Sequence, residues 1–353
     1  MQRPGTTILP TMRTAPHRCF AIAILAGVLA ATPACRFLDR PAPGNKSKQS
    51  RAGRVPTDQQ TAGTDTMNRA RILREQGLEQ EALAQFERAI MENPLLVGAH
   101  MGAGEINLKR GDIEAAAENF GTAARLEENN FSAQFWYGVA LQELRRLDEA
   151  IRQYLRALRL RPDDFQANSN LGVAYLQAGE PGEALPYAQR AIELNPNDGP
   201  SRTNLGAVYA ALGQYENAIT EFQQAAELTD LSPPLLLNLA DAYGRMKRYD
   251  EMVNTLQEVI RLEPSAAAYE RMGSGLFRVG DYEGSLGAFR KAVELDERHY
   301  PAHNGVGVCL LRDWMAGGQE DEALKRDALR SLRRSLQIEK NQPKVLELVA
   351  RFQ

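Results

Sequence analysis

Residues 167–198 read ANSNLGVAYLQAGEPGEALPYAQRAIELNPND, and residues 201–230 read SRTNLGAVYAALGQYENAITEFQQAAELTD. Set 34 places apart, the two stretches share their landmarks. Asn170-Leu171-Gly172 returns as Asn204-Leu205-Gly206, Tyr175 as Tyr209, Gly179 as Gly213, Ala184 as Ala218 and Ala191 as Ala225. Each period holds two stretches with apolar residues at i, i+3, i+4 and i+7, the spacing of an amphipathic helix. A glycine turn separates them, and a proline often closes the second, as at Pro94, Pro162, Pro196 and Pro264. Two short helices cannot bury an apolar face alone, so such units stack and share one continuous core.

Counting outward at 34 places per unit frames eight units: 63–96, 97–130, 131–164, 165–198, 199–232, 233–266, 266–299 and 300–342. The eighth place of the first helix is small throughout: Ala70, Gly104, Gly138, Gly172, Gly206, Ala240, Gly273, Gly307. The second helix carries small residues at Ala82, Ala116, Ala150, Ala184, Ala218 and again at Ala89, Ala123, Ala157, Ala191, Ala225. Between them stands a large filler, as at Phe86, Phe120, Tyr154, Phe222, Leu256 and Phe289. Met252 and Val259 replace alanines in the sixth unit, which predicts a second helix set slightly further out. In the eighth unit nine residues are inserted around Gly317-Gly318, which predicts a turn there and a lengthened second helix from near Asp321. The stretch from Pro343 places Val345, Leu346, Val349 and Phe352 on one face, as a terminal helix covering the end of the stack would.

A 34-residue period with this placement of Gly, Ala, aromatic and Pro resembles the tetratricopeptide repeat (TPR) family over residues 63–342. The resemblance implies an all-α fold, a right-handed superhelical α-solenoid of about eight helix pairs, here followed by a capping helix at 343–353. It also implies that the first helices line a concave surface on which extended protein or peptide partners lie. The residue two before the small eighth place would face that groove; it is Asn170, Asn204 and Asn238 in three successive units. An Asn amide donates and accepts at once, which suits a peptide backbone. One unit earlier stand Phe135 and Trp136, with Met101 and Val139 on the same helical side. They are the candidate anchor for an apolar partner side chain, although aromatics at helical spacing also serve as core. Gly102 shares the groove-facing place, so an alanine there should be tolerated. The chaperone-tail-binding branch of the family clamps a carboxylate with Lys and Arg. Met67, Arg71, Gly102, Ser132 and Trp136 hold the matching places, so that clamp is absent.

With 43% apolar and 25% charged residues, the 353-residue chain has the mixture of a soluble domain, yet its charge is uneven. Residues 1–35 carry three positive charges and residues 36–62 a net four, so an overall −3 leaves −10 on the rest. An acidic array does not suit a nucleic-acid backbone, so no nucleic-acid partner is expected. Cys309 is the one cysteine in the repeats, which rules out a disulfide or thiolate-zinc framework there. His299 and His303 are four apart, but Pro301 between them argues against a shared helical face. No metal or cofactor is expected. Nor does any Ser/His/Asp set, phosphate loop or carboxylate pair stand outside the repeat pattern, so enzymatic activity is not expected either.

The N-terminal part carries the localisation signal. After Met12, Arg13 and Arg18 comes an apolar run from Cys19 to Ala31, the length of a signal-peptide core rather than a membrane span. Either Met1 or Met12 suits as the start. The run ends in Thr32-Pro33-Ala34-Cys35, which resembles the cleavage and lipidation box of bacterial lipoproteins, with Cys35 as the acylated residue. Thr32 and Pro33 depart from that box, and ordinary secretory cleavage near Ala34 is the alternative. Residues 36–62 are Pro-, Gly-, Ser- and Arg/Lys-rich with almost no apolar content and read as a disordered basic tether. Its ends would lie about 25–30 Å apart.

These features together predict an exported scaffold in the bacterial cell envelope. It would be membrane-anchored through Cys35, facing the periplasm, and would bind peptide segments of proteins in envelope assembly. In outline it is similar to TPR lipoproteins that act as pilotins or as pilus and secretion assembly factors. A soluble periplasmic or secreted form, and a purely structural, self-associating assembler, are the alternatives; oligomeric state is left open.

Overall fold

The computed structural model describes residues 63–353. The leader, Cys35 and the tether lie outside the described residues. The described residues form seventeen α-helices and no strand. Sixteen of them pair in chain order. They are α1 Thr64–Glu75 with α2 Glu79–Glu92, α3 Val97–Arg110 with α4 Ile113–Leu126, and α5 Phe131–Glu143 with α6 Leu147–Leu160. Next come α7 Phe165–Ala178 with α8 Pro181–Leu194, α9 Gly199–Ala211 with α10 Tyr215–Leu228, and α11 Pro233–Arg245 with α12 Tyr249–Leu262. The last pairs are α13 Ala266–Val279 with α14 Tyr282–Leu295 and α15 Tyr300–Ala316 with α16 Glu322–Ile338; α17, Pro343–Phe352, stands alone. Each helix packs on the next, and successive first helices also touch, which makes a superhelical array.

Local sequence sets the boundaries. Asn130, Asp164, Asp198 and Ser265 precede first helices and accept from the backbone N–H three residues on, at 3.1, 2.9, 2.8 and 3.3 Å. Each such cap is worth about 0.5–2 kcal/mol. The turn inside a pair needs one residue at positive φ, which Gly111, Gly179, Gly213 and Gly280 supply. In the third and sixth units the same place is held by Arg145 and Lys247, each at φ 60°. A side chain there costs roughly 1–2 kcal/mol of backbone strain.

The filler of each second helix explains the small residues. Phe86, Phe120, Tyr154 and Phe222 are at most 1% exposed. A Cβ added at Gly104 would lie 2.7 Å from Phe120, at Gly138 2.8 Å from Tyr154, and at Gly206 2.6 Å from Phe222. The next unit closes over the same ring, and a Cβ at Gly102 would stand 2.3 Å from Phe86 Cζ. Gly102 is therefore buried against the ring rather than open to a groove, and the expected tolerance of alanine there does not hold. The fourth unit departs from this scheme: Ala188 occupies the filler place. There a Cβ on Gly172 would meet the Ala188 backbone nitrogen at 3.2 Å, so helix approach has taken up the missing volume.

The two ends differ. The insertion in the eighth unit is shared by both helices, not the second alone: α15 and α16 each run 17 residues. Gly318 at φ 78° makes the turn, and the Asp321 carboxylate accepts from the Ala323 and Leu324 N–H groups. Pro301 does not break α15. It sits in the first turn, where no intrahelical donor is required, and His299 is the N-cap. Helix α17 buries Val345 and Val349 and sets the Phe352 ring edge-on to Trp314 at 5.9 Å. Leu346, expected on that buried face, is instead 51% exposed, because the docked stripe runs through Leu348. Among the described residues no helix is long and apolar enough to cross a membrane.

Candidate peptide-binding groove

The first helices present their sixth and ninth places side by side along one surface of the array, and the sixth-place residues sort by what lies beneath them. Trp136 stands half-buried on the Phe120 ring, with centroids 6.3 Å apart, and meets Phe135 edge-on at 5.2 Å. Asn170 stands near enough to the Tyr154 hydroxyl to favour its charged form, while that hydroxyl donates to Gln142 Oε1 at 2.8 Å. Burial holds the Tyr154 phenol well above its ordinary pKa, and Asn170 opposes the shift without reversing it. Asn204 and Asn238 are also half-buried, but neither has a hydrogen-bond partner among the described residues. The three asparagines that look equivalent in sequence are thus not equivalent. One stands beside a buried tyrosine hydroxyl, and two have no polar partner among the described residues.

The aromatic pair divides in the same way. Phe135 is 6% exposed, packed beside Tyr154 at 6.0 Å and stacked on Phe131 at 5.8 Å. It belongs to the core, and the expectation that it lines the groove is corrected by that burial. Trp136 keeps an accessible edge. Met101 packs between Phe120 and the small residues Ala123 and Ala133, and Val139 packs against the Tyr154 cluster; both are half-buried.

Charge along this surface is distributed in blocks. From Trp136 to Asn238 the sixth and ninth places are uncharged, running through Val139, Asn170, Val173, Asn204 and Ala207. Gln142 Nε2 donates to Gln177 Oε1 at 3.2 Å across two successive units. Ion pairs bracket the neutral stretch. Arg74 reaches Glu105 at 2.5 Å on one side, and Arg271 reaches Asp241 at 3.3 Å on the other. Burial raises the pKa of both carboxylates, and the adjacent arginines pull against that shift. Gln142, Gln177, Glu105 and Asp241 were not singled out from sequence. Their places on first helices are readable, but pairing across units depends on superhelical geometry.

Among the described residues no cluster of His, Cys, Asp and Glu has the arrangement of a metal site. Cys309 is buried, and Ser285 Oγ lies 3.5 Å from its sulfur. His303 bonds the Glu297 carbonyl at 3.0 Å.

The repeat, the filler sandwich and the helix pairing define the class, and sequence comparison names it. The chain belongs to the tetratricopeptide repeat family. Family models described as tetratricopeptide repeat match residues 67–125, 101–165, 138–199, 170–234 and 270–335, and a second such model matches 233–265. The chain is similar to the probable UDP-N-acetylglucosamine–peptide N-acetylglucosaminyltransferase SPINDLY of Arabidopsis thaliana, 33% identical over 112 residues. That match covers 31% of this chain and spans 12% of the length of the plant protein. Among solved structures, PilF of Pseudomonas aeruginosa aligns with a TM-score of 0.51 at 20% identity, covering 61% of this chain and 98% of that one. A tetratricopeptide repeat protein of Parabacteroides merdae aligns with a TM-score of 0.51 at 20% identity, over 72% of this chain and 98% of its own. At these identities the likeness is one of fold.

Proposed function

We propose that this TPR scaffold holds extended peptide segments of partner proteins along the surface made by its first helices, gripping main chain more than side chains. The observation that carries this reading is the pair Asn204 and Asn238. Their amides have no internal partner on an otherwise uncharged strip. A half-buried amide without a protein partner holds water in the free state, and a peptide backbone can replace that water with both a donor and an acceptor. Trp136, with a free edge beside Met101 and Val139, would seat one apolar side chain of the same segment.

The setting we propose is the bacterial cell envelope, with the array exported and tethered through a lipid on Cys35 and serving the assembly of an envelope complex in a pilotin-like way. The apolar run from Cys19 to Ala31 followed by Cys35 supports this placement. The test of the function is a photo-crosslinking residue placed at Val173 in the full chain, against one at Gln224 on a second helix. A partner captured from Val173, and lost when Asn204 and Asn238 become alanine, is the expected result. Equal capture from Gln224 would refute the groove.

A further inference from the structure

The eighth unit carries a basic trough that the repeat does not require. On α16 the side chains Arg326, Arg330, Arg333 and Arg334 line an open depression of about 590 Å³, with His303 of α15 on its other wall. Asp327 pairs with Arg330 at 3.0 Å. Arg326, Arg333 and Arg334 have no ion-pair partner among the described residues, although all three are exposed.

Two comparisons within the array show that this is a departure. Two residues before the first small residue of the second helix, five other units carry an acid: Glu114, Asp148, Glu216, Asp250 and Glu283. The eighth carries Arg326 there. In the fifth unit the matching places are joined by the unit's own charges. Arg202, in the place of His303, donates to Glu221 at 2.9 Å and to Gln224. In the eighth unit Ser331 stands where Glu221 would be, and Arg334 where Gln224 would be. The eighth unit has no countercharge at this place and carries added positive charge, so Arg326 and Arg333 are left without an ion-pair partner among the described residues and Arg334 bonds only the neutral Gln337, at 3.4 Å.

We infer that this trough is a second docking surface, separate from the groove, that takes an acidic Asp/Glu-rich segment of a protein partner. Guanidinium groups bind planar carboxylates through paired N–H donors, and several arginines on successive turns match carboxylates along an extended chain. The mutual repulsion of the arginines in the free protein adds to the gain on binding. A concave wall between two helices favours a chain segment over a flat bilayer.

The test is fluorescence anisotropy of a fluorescein-labelled hexaglutamate peptide titrated with the full-length protein. Saturable binding is expected, weakening as salt screens the charges. Arg326→Ala with Arg333→Ala and Arg334→Ala should raise Kd by about tenfold or more, the equivalent of losing at least one charge-assisted pair. The three Lys replacements should fall between, since they keep charge without the fork. Arg51→Ala with Arg54→Ala in the N-terminal basic stretch should leave Kd unchanged, as should Asn204→Ala with Asn238→Ala. An unchanged circular dichroism melt confirms that the triple variant folds. No binding, binding unaffected by the triple change, or loss confined to the Arg51/Arg54 variant would each overturn the inference. So would vesicles of three parts phosphatidylcholine to one part phosphatidylglycerol that bind through these arginines while the peptide does not.

Discussion

Replacing Gly102 with alanine tests the register of the whole stack with a single methyl group. The new Cβ would lie 2.3 Å from Phe86 Cζ and 2.6 and 2.7 Å from Cε1 and Cε2, well inside contact distance on a ring that is fully buried. Phe86 cannot swing away, because α1 and α3 close over it from both sides. Overpacking of this kind costs about 1–3 kcal/mol, and the crowding at three ring atoms puts Gly102 at the upper end. Alanine returns about 1 kcal/mol through its helix preference, leaving a net loss of about 2 kcal/mol. Gly287 is the control: it is exposed inside α14 with nothing within 4 Å of an added Cβ, so alanine there should gain about 1 kcal/mol. The two variants should therefore melt on opposite sides of the wild type, with Gly102→Ala lower by about 4 °C or more. Circular dichroism melts at fixed protein concentration read this directly. Gly102→Ala melting at or above the wild type would show that α3 does not sit on the Phe86 ring, and the filler sandwich would be wrong.

Other changes probe the groove, the turns and the anchor. Asn204→Ala with Asn238→Ala should weaken partner binding by about 1–3 kcal/mol at an unchanged melting point, since each neutral hydrogen bond is worth about 0.5–1.5 kcal/mol. Asn170→Ala, by contrast, should also lower the melting temperature, because it leaves the buried Tyr154 hydroxyl with Gln142 as its one polar neighbour; isothermal titration and melts on the same samples separate the two effects. Ala188→Phe restores the usual filler to a pair of helices that have already closed, and should destabilise by about 1–3 kcal/mol in a urea titration. Arg145→Gly relieves a left-handed residue at a gain of about 1 kcal/mol less the added chain entropy, so a small rise in melting temperature is expected. Cys35→Ser should release the protein from the membrane fraction or leave it uncleaved; unchanged membrane association on fractionation would remove the lipid anchor from the proposal.

Much of the architecture was legible in the chain because it repeats. A residue type that must be small at a helix crossing returns every 34 places, so Gly104, Gly138 and Gly206 announce the packing before any coordinate is seen. Caps and turns are local chemistry, and Asp164, Asp198 and Gly179 could be read where they stand. What the period cannot carry is the difference between units that obey it equally. Asn170, Asn204 and Asn238 occupy one place in the repeat, yet only Asn170 lies over a tyrosine hydroxyl, because the residue beneath belongs to the preceding unit. Phe135 and Trp136 are neighbours in sequence and part company in space, since a helix turns by about 100° per residue and one of two adjacent side chains must face the core. Gly102 looked like an open position by its place on the first helix; only the ring of Phe86, sixteen residues earlier and on another helix, makes it a crowded one. The basic trough belongs to the same kind. Four arginines in one helix read as a solvated face until the structure shows that they line a depression with His303 opposite and that nothing there pairs as Glu221 does with Arg202 in the fifth unit. Periodicity is a property of the chain, and it determined the fold. Which side chains are left without a partner is a property of the contacts between units, and the tertiary structure alone decides it.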